Sequence, residues 1–94
     1  MADEFEWDAK KAAANLAKHN VDFNEAQRAF DDPNAIGWRD DREDYSEDRD
    51  IVLGMVEGRL LYVVYTILDD MAVRIISARR ATPREKRRYH EKQT

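Results

Sequence analysis

The stretch Arg59-Leu-Leu-Tyr-Val-Val-Tyr-Thr-Ile-Leu68 decides how this chain folds. Alternation puts Leu61, Val63 and Tyr65 on one side of an extended strand and Leu60, Tyr62 and Val64 on the other. A strand apolar on both sides is buried on both sides, so this one is expected to be central. Glu57-Gly58 before it and Asp69-Asp70 after it mark tight turns. They set candidate strands Ile51 to Glu57 and Ala72 to Ala78 beside it. The apolar run from Leu60 to Leu68 is nine residues long, broken only by Thr66, and too short to span a bilayer.

Toward the N-terminus, Phe5-Glu6-Trp7 alternates as a short edge strand does. Asp8 can cap a helix reaching about His19, with Ala9, Ala12, Ala13, Leu16 and Ala17 as a narrow apolar stripe for packing on a sheet. A second helix is expected after Asp22, which with Glu25 has capping-box spacing, while Val21 and Ala26 have that of a hydrophobic staple. Phe23, Ala26 and Phe30 share a face, and Asp31-Asp32-Pro33-Asn34 ends the helix in a turn. Ala35 to Trp38 reads as a strand. Arg39 to Asp50 carries ten charges in twelve residues, which predicts an exposed hairpin tip or mobile loop rather than core.

Toward the C-terminus, Thr82-Pro83-Arg84-Glu85 starts a helix with Thr as cap, Pro first and Glu third. The predicted order is β-α-α-β-β-β-β-α, an α+β domain with helices on a twisted antiparallel sheet. One domain over residues 1–94 suits the length. The expected core is Trp7, Leu16, Phe23, Phe30, Leu53, Leu61, Val63 and Ile75.

Charge divides the chain. Residues 1–50 hold 15 acidic and 7 basic residues (−8), and residues 51–94 hold 5 and 9 (+4), within an overall charge of −4. Residues 74–94 alone carry eight Lys/Arg against Glu85 and Glu91. A cationic end on an acidic protein calls for an anionic partner, and phosphate is the obvious one. There is no cysteine, which excludes thiol-ligated metal and removes the usual staples of small secreted domains. The first residues lack a signal-peptide pattern, so the cytoplasm is the expected location.

Four segments resemble the BrnT family, small bacterial ribonuclease toxins of RelE-like fold that pair with a BrnA antitoxin. They are Phe5-Glu-Trp-Asp-Ala-Lys-Lys-Ala-Ala-Ala-Asn-Leu-Ala-Lys-His-Asn-Val21, then Asp22-Phe-Asn-Glu-Ala26 with Phe30-Asp-Asp-Pro33. Gly58-Arg-Leu-Leu-Tyr-Val-Val-Tyr-Thr66 follows, and then Arg74-Ile-Ile-Ser-Ala-Arg-Arg-Ala-Thr82 with Glu85 and Arg88-Tyr89. The family often has an arginine within two residues of Thr66, where Ile67-Leu68 stand here, and often His at the position of Tyr65. The resemblance implies a RelE-like sheet with two N-terminal helices and a short C-terminal helix. It also implies a metal-independent endoribonuclease neutralised by a BrnA-like antitoxin, as a dimer or a toxin–antitoxin heterotetramer. Without that arginine the expectation is either weak cleavage or Arg74 or Arg79 standing in for it.

Such enzymes drive the ribose 2′-hydroxyl onto the neighbouring phosphate, which takes a base, a leaving-group acid and cations around the phosphate. Arginine suits the last role because its planar fork grips two oxygens and never loses its charge. Arg79 and Arg80 are expected to point to opposite faces at the end of the last strand, one toward the reactive phosphate and the other along the backbone or toward another chain. Arg74 is expected on Arg80's side. Proton carriers come from Tyr65, Tyr89, His19, Glu47 and His90, of which Tyr65, Tyr89 and His19 join the arginines as the expected catalytic set. Arg74, Lys18, Arg84, Arg87 and Arg88 are expected to bind RNA. The plain structural alternatives are core packing for Tyr65, a helix anchor for Tyr89, a helix-end charge for His19, and solvation for the arginines, Glu47 and Arg49. No metal or other cofactor is expected, since the two histidines lie far apart and the acidic loop lacks ligand spacing. Two further readings are a non-catalytic nucleic-acid-binding domain and a protein-interaction domain whose acidic half meets a basic partner.

Overall fold

Glu57 and Gly58 both take positive φ, 48° and 82°, the backbone a two-residue hairpin loop needs to match strand twist. The hairpin they close joins β3 (Asp50–Val56) to β4 (Arg59–Ile67). The computed structural model describes residues 4–42, 48–69 and 71–93. Among them β1 (Phe5–Glu6), α1 (Ala9–His19), α2 (Phe23–Ala26), a 3-10 helix (Gln27–Asp31) and β2 (Ile36–Arg39) precede the hairpin. After it come β5 (Val73–Arg80) and α3 (Pro83–Glu91).

The fold is α+β, and its five strands lie in the order β1-β5-β4-β3-β2. The two-sided apolar strand is central, as its pattern predicts. The sheet departs from the expectation in one respect, because it is mixed. Phe5 lies opposite Val73 and Glu6 opposite Arg74 in parallel register, while the other neighbours are antiparallel. Alternation encodes which face a residue takes, not which way its neighbour runs.

Each sheet face has its own cluster. Val52, Leu61, Val63, Val73, Ile75 and Ala78 meet Val21, Phe23, Ala26 and Ala29 on the side of α1 and α2. Ile51, Leu53, Leu60, Tyr62 and Val64 meet Ala81 and Tyr89 on the side of α3. Phe23, Leu53, Leu61, Val63 and Ile75 are fully buried as expected, and Trp7 and Phe30 are partly buried against the first cluster. Leu16 is the exception, at 46% exposed.

The reason is Asn15, the buried residue of α1. Its carboxamide donates to the carbonyls of Ala78 (2.8 Å) and Val21 (3.0 Å) and accepts from the Ala78 N–H (3.0 Å). β1 covers the outer edge of β5 only at Val73 and Arg74. Asn15 serves that edge at Ala78, supplying one donor and one acceptor as a peptide unit of a further strand would. The helix therefore turns its Asn15 side inward, and Leu16 faces water.

The second helix is shorter than its pattern promised. Asp22 accepts from the Asn24 N–H (2.7 Å), but Glu25 does not complete a box because it pairs with Arg59 at the start of β4. Four α-helical residues then tighten into the 3-10 helix. That helix rides directly on β3 at Gly54, where any Cβ would collide with the carbonyl of Ala29. Just beyond it, Asp32 accepts from the Met55 N–H (2.8 Å) and the Asn34 N–H (2.9 Å).

Between β4 and β5 the register slips at Val64 and Tyr65. Val64 faces Ser77 but Tyr65 faces Ile75, leaving Ile76 as an extra residue on β5. Val73, Ile75 and Ala78 all reach the first cluster, and Ile76 packs on the second. Arg74 consequently comes into phase with Arg79, not with Arg80 as uninterrupted alternation predicts. Within the charged 39–50 segment, Arg39 and Asp50 are strand partners, and Asp40 is buried at 4% exposure, held by Arg42 at 2.8 and 3.0 Å. A charge run reads as solvated because a lone carboxylate is costly to bury, and a bidentate partner offsets that cost. Residues 43–47, including Glu47, and Asp70 of the second turn lie outside the described residues.

Candidate functional site

Helix α3 is built to sit on the sheet as a ridge. Thr82 accepts from the Glu85 N–H (3.2 Å) while Glu85 accepts from the Thr82 N–H (2.9 Å), a complete capping box behind Pro83. Ala81, just before, donates its N–H to the Leu60 carbonyl (2.9 Å) and so fixes the exit from β5. Glu85 and Tyr89, one turn apart, point inward. Glu85 receives both arms of Arg79 at 2.9 Å each. Tyr89 is buried and donates its hydroxyl to Asp32 at 2.6 Å.

These pairings set the electrostatics beneath the ridge. Burial works against Glu85 ionising, but hydrogen bonds from Arg79 and Thr82 outweigh it and lower its pKa. The Glu85 hydrogen bond raises the Arg79 pKa in turn. Asp32 is lowered as well, its burial outweighed by hydrogen bonds from Tyr89, Met55 and Asn34. Burial and the bond to Asp32 push the Tyr89 phenol up to about 12.

The helix exposes cations on both flanks. On one, Lys86 and His90, a turn apart, line a cavity of about 400 Å³ with Arg80, Arg59, Leu60, Met55 and Gly58. On the other, Arg84, Arg87 and Arg88 line a groove of about 550 Å³ with Trp38, Tyr62 and Arg42. Two guanidinium groups sit over its aromatic floor, the Cζ of Arg88 4.0 Å from the centre of the Trp38 ring and that of Arg79 3.9 Å from the centre of the Tyr62 ring. The two rings meet edge to face, 6.1 Å apart. Burial raises the Tyr62 pKa against the pull of Arg42 and Arg79.

The ten expected site residues do not form one cluster. Arg79, Arg80, Arg84, Arg87, Arg88 and Tyr89 gather on and beneath α3. The fork of Arg79 is filled by Glu85 and the Arg80 carbonyl (3.1 Å), and the Tyr89 hydroxyl by Asp32. Tyr65 lies on the other sheet face, its ring 4.9 Å from Phe30, and burial raises its pKa. Lys18 and His19 end α1, on that same far side. Arg74 is near the start of β5, bonded to Glu6 at 3.2 and 3.3 Å. Ile67, one of the two positions where the resemblance leads one to expect an arginine, ends β4 while Arg59 and Leu60 of the cavity begin it.

Sequence reasoning passed over Lys86, Arg59, Trp38, Tyr62 and Arg42. Lys86 and His90 have the i, i+4 spacing of a pair on one helix flank, but the basic residues all around this helix mask it. Trp38 and Tyr62 joined only through the pairing of β2, β3 and β4, which no local spacing displays. Among the described residues, no three of His, Asp and Glu come together as metal ligands, and no helix is long and apolar enough to cross a membrane.

A family model described as the ribonuclease toxin BrnT of type II toxin–antitoxin systems matches residues 7–85. The fold is similar to the crystal structure of the ribonuclease toxin BrnT of Brucella abortus, with a TM-score of 0.65 and 23% sequence identity. That likeness covers 84% of this chain and 96% of that one. No curated protein gives a significant match. The family match stops at Glu85, so Lys86, Arg87, Arg88 and His90 lie beyond it.

Proposed function

The chain belongs to the BrnT family of ribonuclease toxins of type II toxin–antitoxin systems, and we propose that it cuts RNA without metal in the cavity beside α3. Its RelE-like fold would be neutralised in the cytoplasm by a BrnA-like antitoxin. The convergence of Arg80, Lys86 and His90 on one cavity supports this reading. Two cations and one imidazole able to take or give a proton are the parts that phosphoryl transfer from a ribose hydroxyl needs.

The 2′-oxygen attacks phosphorus and gives up its proton, and the bond from phosphorus to the 5′-oxygen breaks. The departing oxygen takes a proton, leaving a 2′,3′-cyclic phosphate on one fragment. Arg80 and Lys86 hold the non-bridging oxygens as charge gathers on them, and His90 carries a proton. Arg79 is a positioning residue, since its fork holds Glu85 and with it the first turn of α3. Arg84, Arg87 and Arg88 bind the RNA strand on the other flank. Tyr89 anchors the ridge between them.

Purified protein incubated with RNA in excess chelator tests the proposal. New ends bearing 2′,3′-cyclic or 3′-phosphate are expected. A strict need for added divalent metal, or full cleavage by an Arg80→Ala/His90→Ala double variant, would overturn it. Growth arrest relieved by co-expressing an antitoxin tests the pairing.

A further inference from the structure

The groove on the far flank of α3 offers flat surfaces where a simple phosphate site would offer edges. Trp38 lies beneath the Arg88 guanidinium at 4.0 Å and edge-on to Tyr62, itself covered by Arg79 at 3.9 Å. A carboxylate or phosphate binds a guanidinium through its N–H edge. Two of the groove's arginines already have those edges occupied, Arg79 by Glu85 and Arg42 by Asp40. What Trp38 and Arg88 present together is a planar guanidinium over the face of an indole, on the exposed side of the helix, with Arg84 and Arg87 beside it. Planes attract π faces, and the cations beside them attract a phosphate backbone.

We propose that this groove holds an unpaired nucleobase of single-stranded RNA, stacked on the guanidinium of Arg88 with Trp38 behind it. The assignment rests on the reading of the chain as a ribonuclease and adds the form of its substrate. A base within a duplex is already stacked on both faces and has none to offer, so the groove selects single strands. With the reactive phosphate on the Arg80 flank and a base on the Trp38 flank, the strand passes over α3. An acidic peptide fits less well, because its carboxylates have no flat face to lay on the Trp38–Arg88 pair and would meet Glu85 and Glu91, which also line the groove.

The chain has two tryptophans, and they report separately. Trp7 packs edge-on against Phe23 at 5.9 Å on the other side of the sheet, so a change at the groove registers at Trp38. The experiment titrates the full chain with a 2′-O-methyl RNA oligonucleotide, which cannot be cut, and follows tryptophan fluorescence. Quenching by the single strand is expected, with little from the same strand annealed to its complement. Arg88→Lys keeps the charge but loses the plane, and should weaken binding roughly tenfold. Arg28→Lys, at an arginine of the 3-10 helix that pairs with Glu57 and lines neither the groove nor the cavity, is the matched control and should bind as the parent does. Both positions are exposed, so neither change endangers the fold.

Equal affinity for single strand and duplex, or no loss in Arg88→Lys, would overturn the proposal. So would polyglutamate or inorganic polyphosphate displacing the strand as well as unlabelled RNA does. Because the probe cannot be cleaved, the result stands apart from the catalytic reading. Quenching with no cleavage of ordinary RNA would sink the ribonuclease proposal alone, and cleavage without quenching would sink this one alone.

Discussion

The hydroxyl of Tyr89 lies 2.6 Å from the carboxylate of Asp32, which also accepts from the N–H of Met55 on β3. One carboxylate thus ties the C-terminal helix, the turn after the 3-10 helix and a strand together. Hydrogen bonds to an ionised group contribute more than neutral ones. Tyr89→Phe keeps the ring and removes the bond, so it should lower stability by about 1.5–3 kcal/mol. A denaturant melt checks this, and a loss below about 0.5 kcal/mol would show that the ring alone anchors α3.

The same pair predicts the response to pH. The folded chain holds the Tyr89 proton up to about 12, while an unfolded tyrosine releases it near pH 10. Its stabilising contribution is therefore complete below about pH 10 and is lost as pH climbs toward 12. Asp32 and Glu85 are lowered in the fold, so their contributions are present above the ordinary carboxylate values and fade as pH falls through the folded ones. Thermal melts across pH should fall at both ends. Tyr89→Phe should soften the alkaline fall and Glu85→Gln the acid one, with slopes unchanged by either substitution counting against the assignments.

Asn15 and Leu16, adjacent on α1, should behave opposite to their hydropathy. Asn15→Ala strands the Ala78 N–H and two carbonyls in a buried place and should cost about 2–4 kcal/mol. Leu16→Ala removes a side chain that is 46% exposed and should cost under about 1 kcal/mol. Chemical denaturation of the two variants decides the matter, and the reverse ranking would mean that α1 is rotated.

The difference between Arg79 and Arg80 is testable in one pair of variants. Arg80→Ala should keep the melting behaviour of the parent and lose about 10²–10³-fold in cleavage rate. Arg79→Ala should lose stability, about 1–3 kcal/mol, because Glu85 keeps its partial burial without its partner. Measuring rate and stability on both proteins separates the roles. Equal stability losses would place both arginines in the scaffold.

Gly54 offers a steric prediction. An alanine there drives its Cβ into the Ala29 carbonyl, which is backbone and cannot swing aside. Gly54→Ala should cost about 1–3 kcal/mol or more by thermal melt. A neutral outcome would show that the 3-10 helix is not fixed on β3.

Much of this was legible in the residues. The two-sided pattern of β4 located the centre of the sheet, and Thr82-Pro83-Arg84-Glu85 located the start of α3, because both signals are local. Asn15 was invisible for the opposite reason. A polar residue scores as surface until a strand edge 63 positions away supplies its partners. The parallel pairing of Phe5 with Val73 is equally remote. At the candidate site the arginines could be counted, but not told apart. Whether a guanidinium meets substrate or a neighbouring carboxylate depends on Glu85 turning inward, a matter of helix phase against the sheet.

Ile76 gives that phase a longer reach. With Ile76 paired in regular alternation, β5 would run at a single parity, and Val73 and Ile75 could face the core only if Ala78 and Arg79 exchanged sides. The bulge acts as a half-step in the strand's thread. The first half is cut to fit the hydrophobic packing and the second half to fit the cationic ridge, so substitutions in one need not be answered in the other. A chain that kept these residues but ironed out the bulge would have to choose between its interior and its arginines.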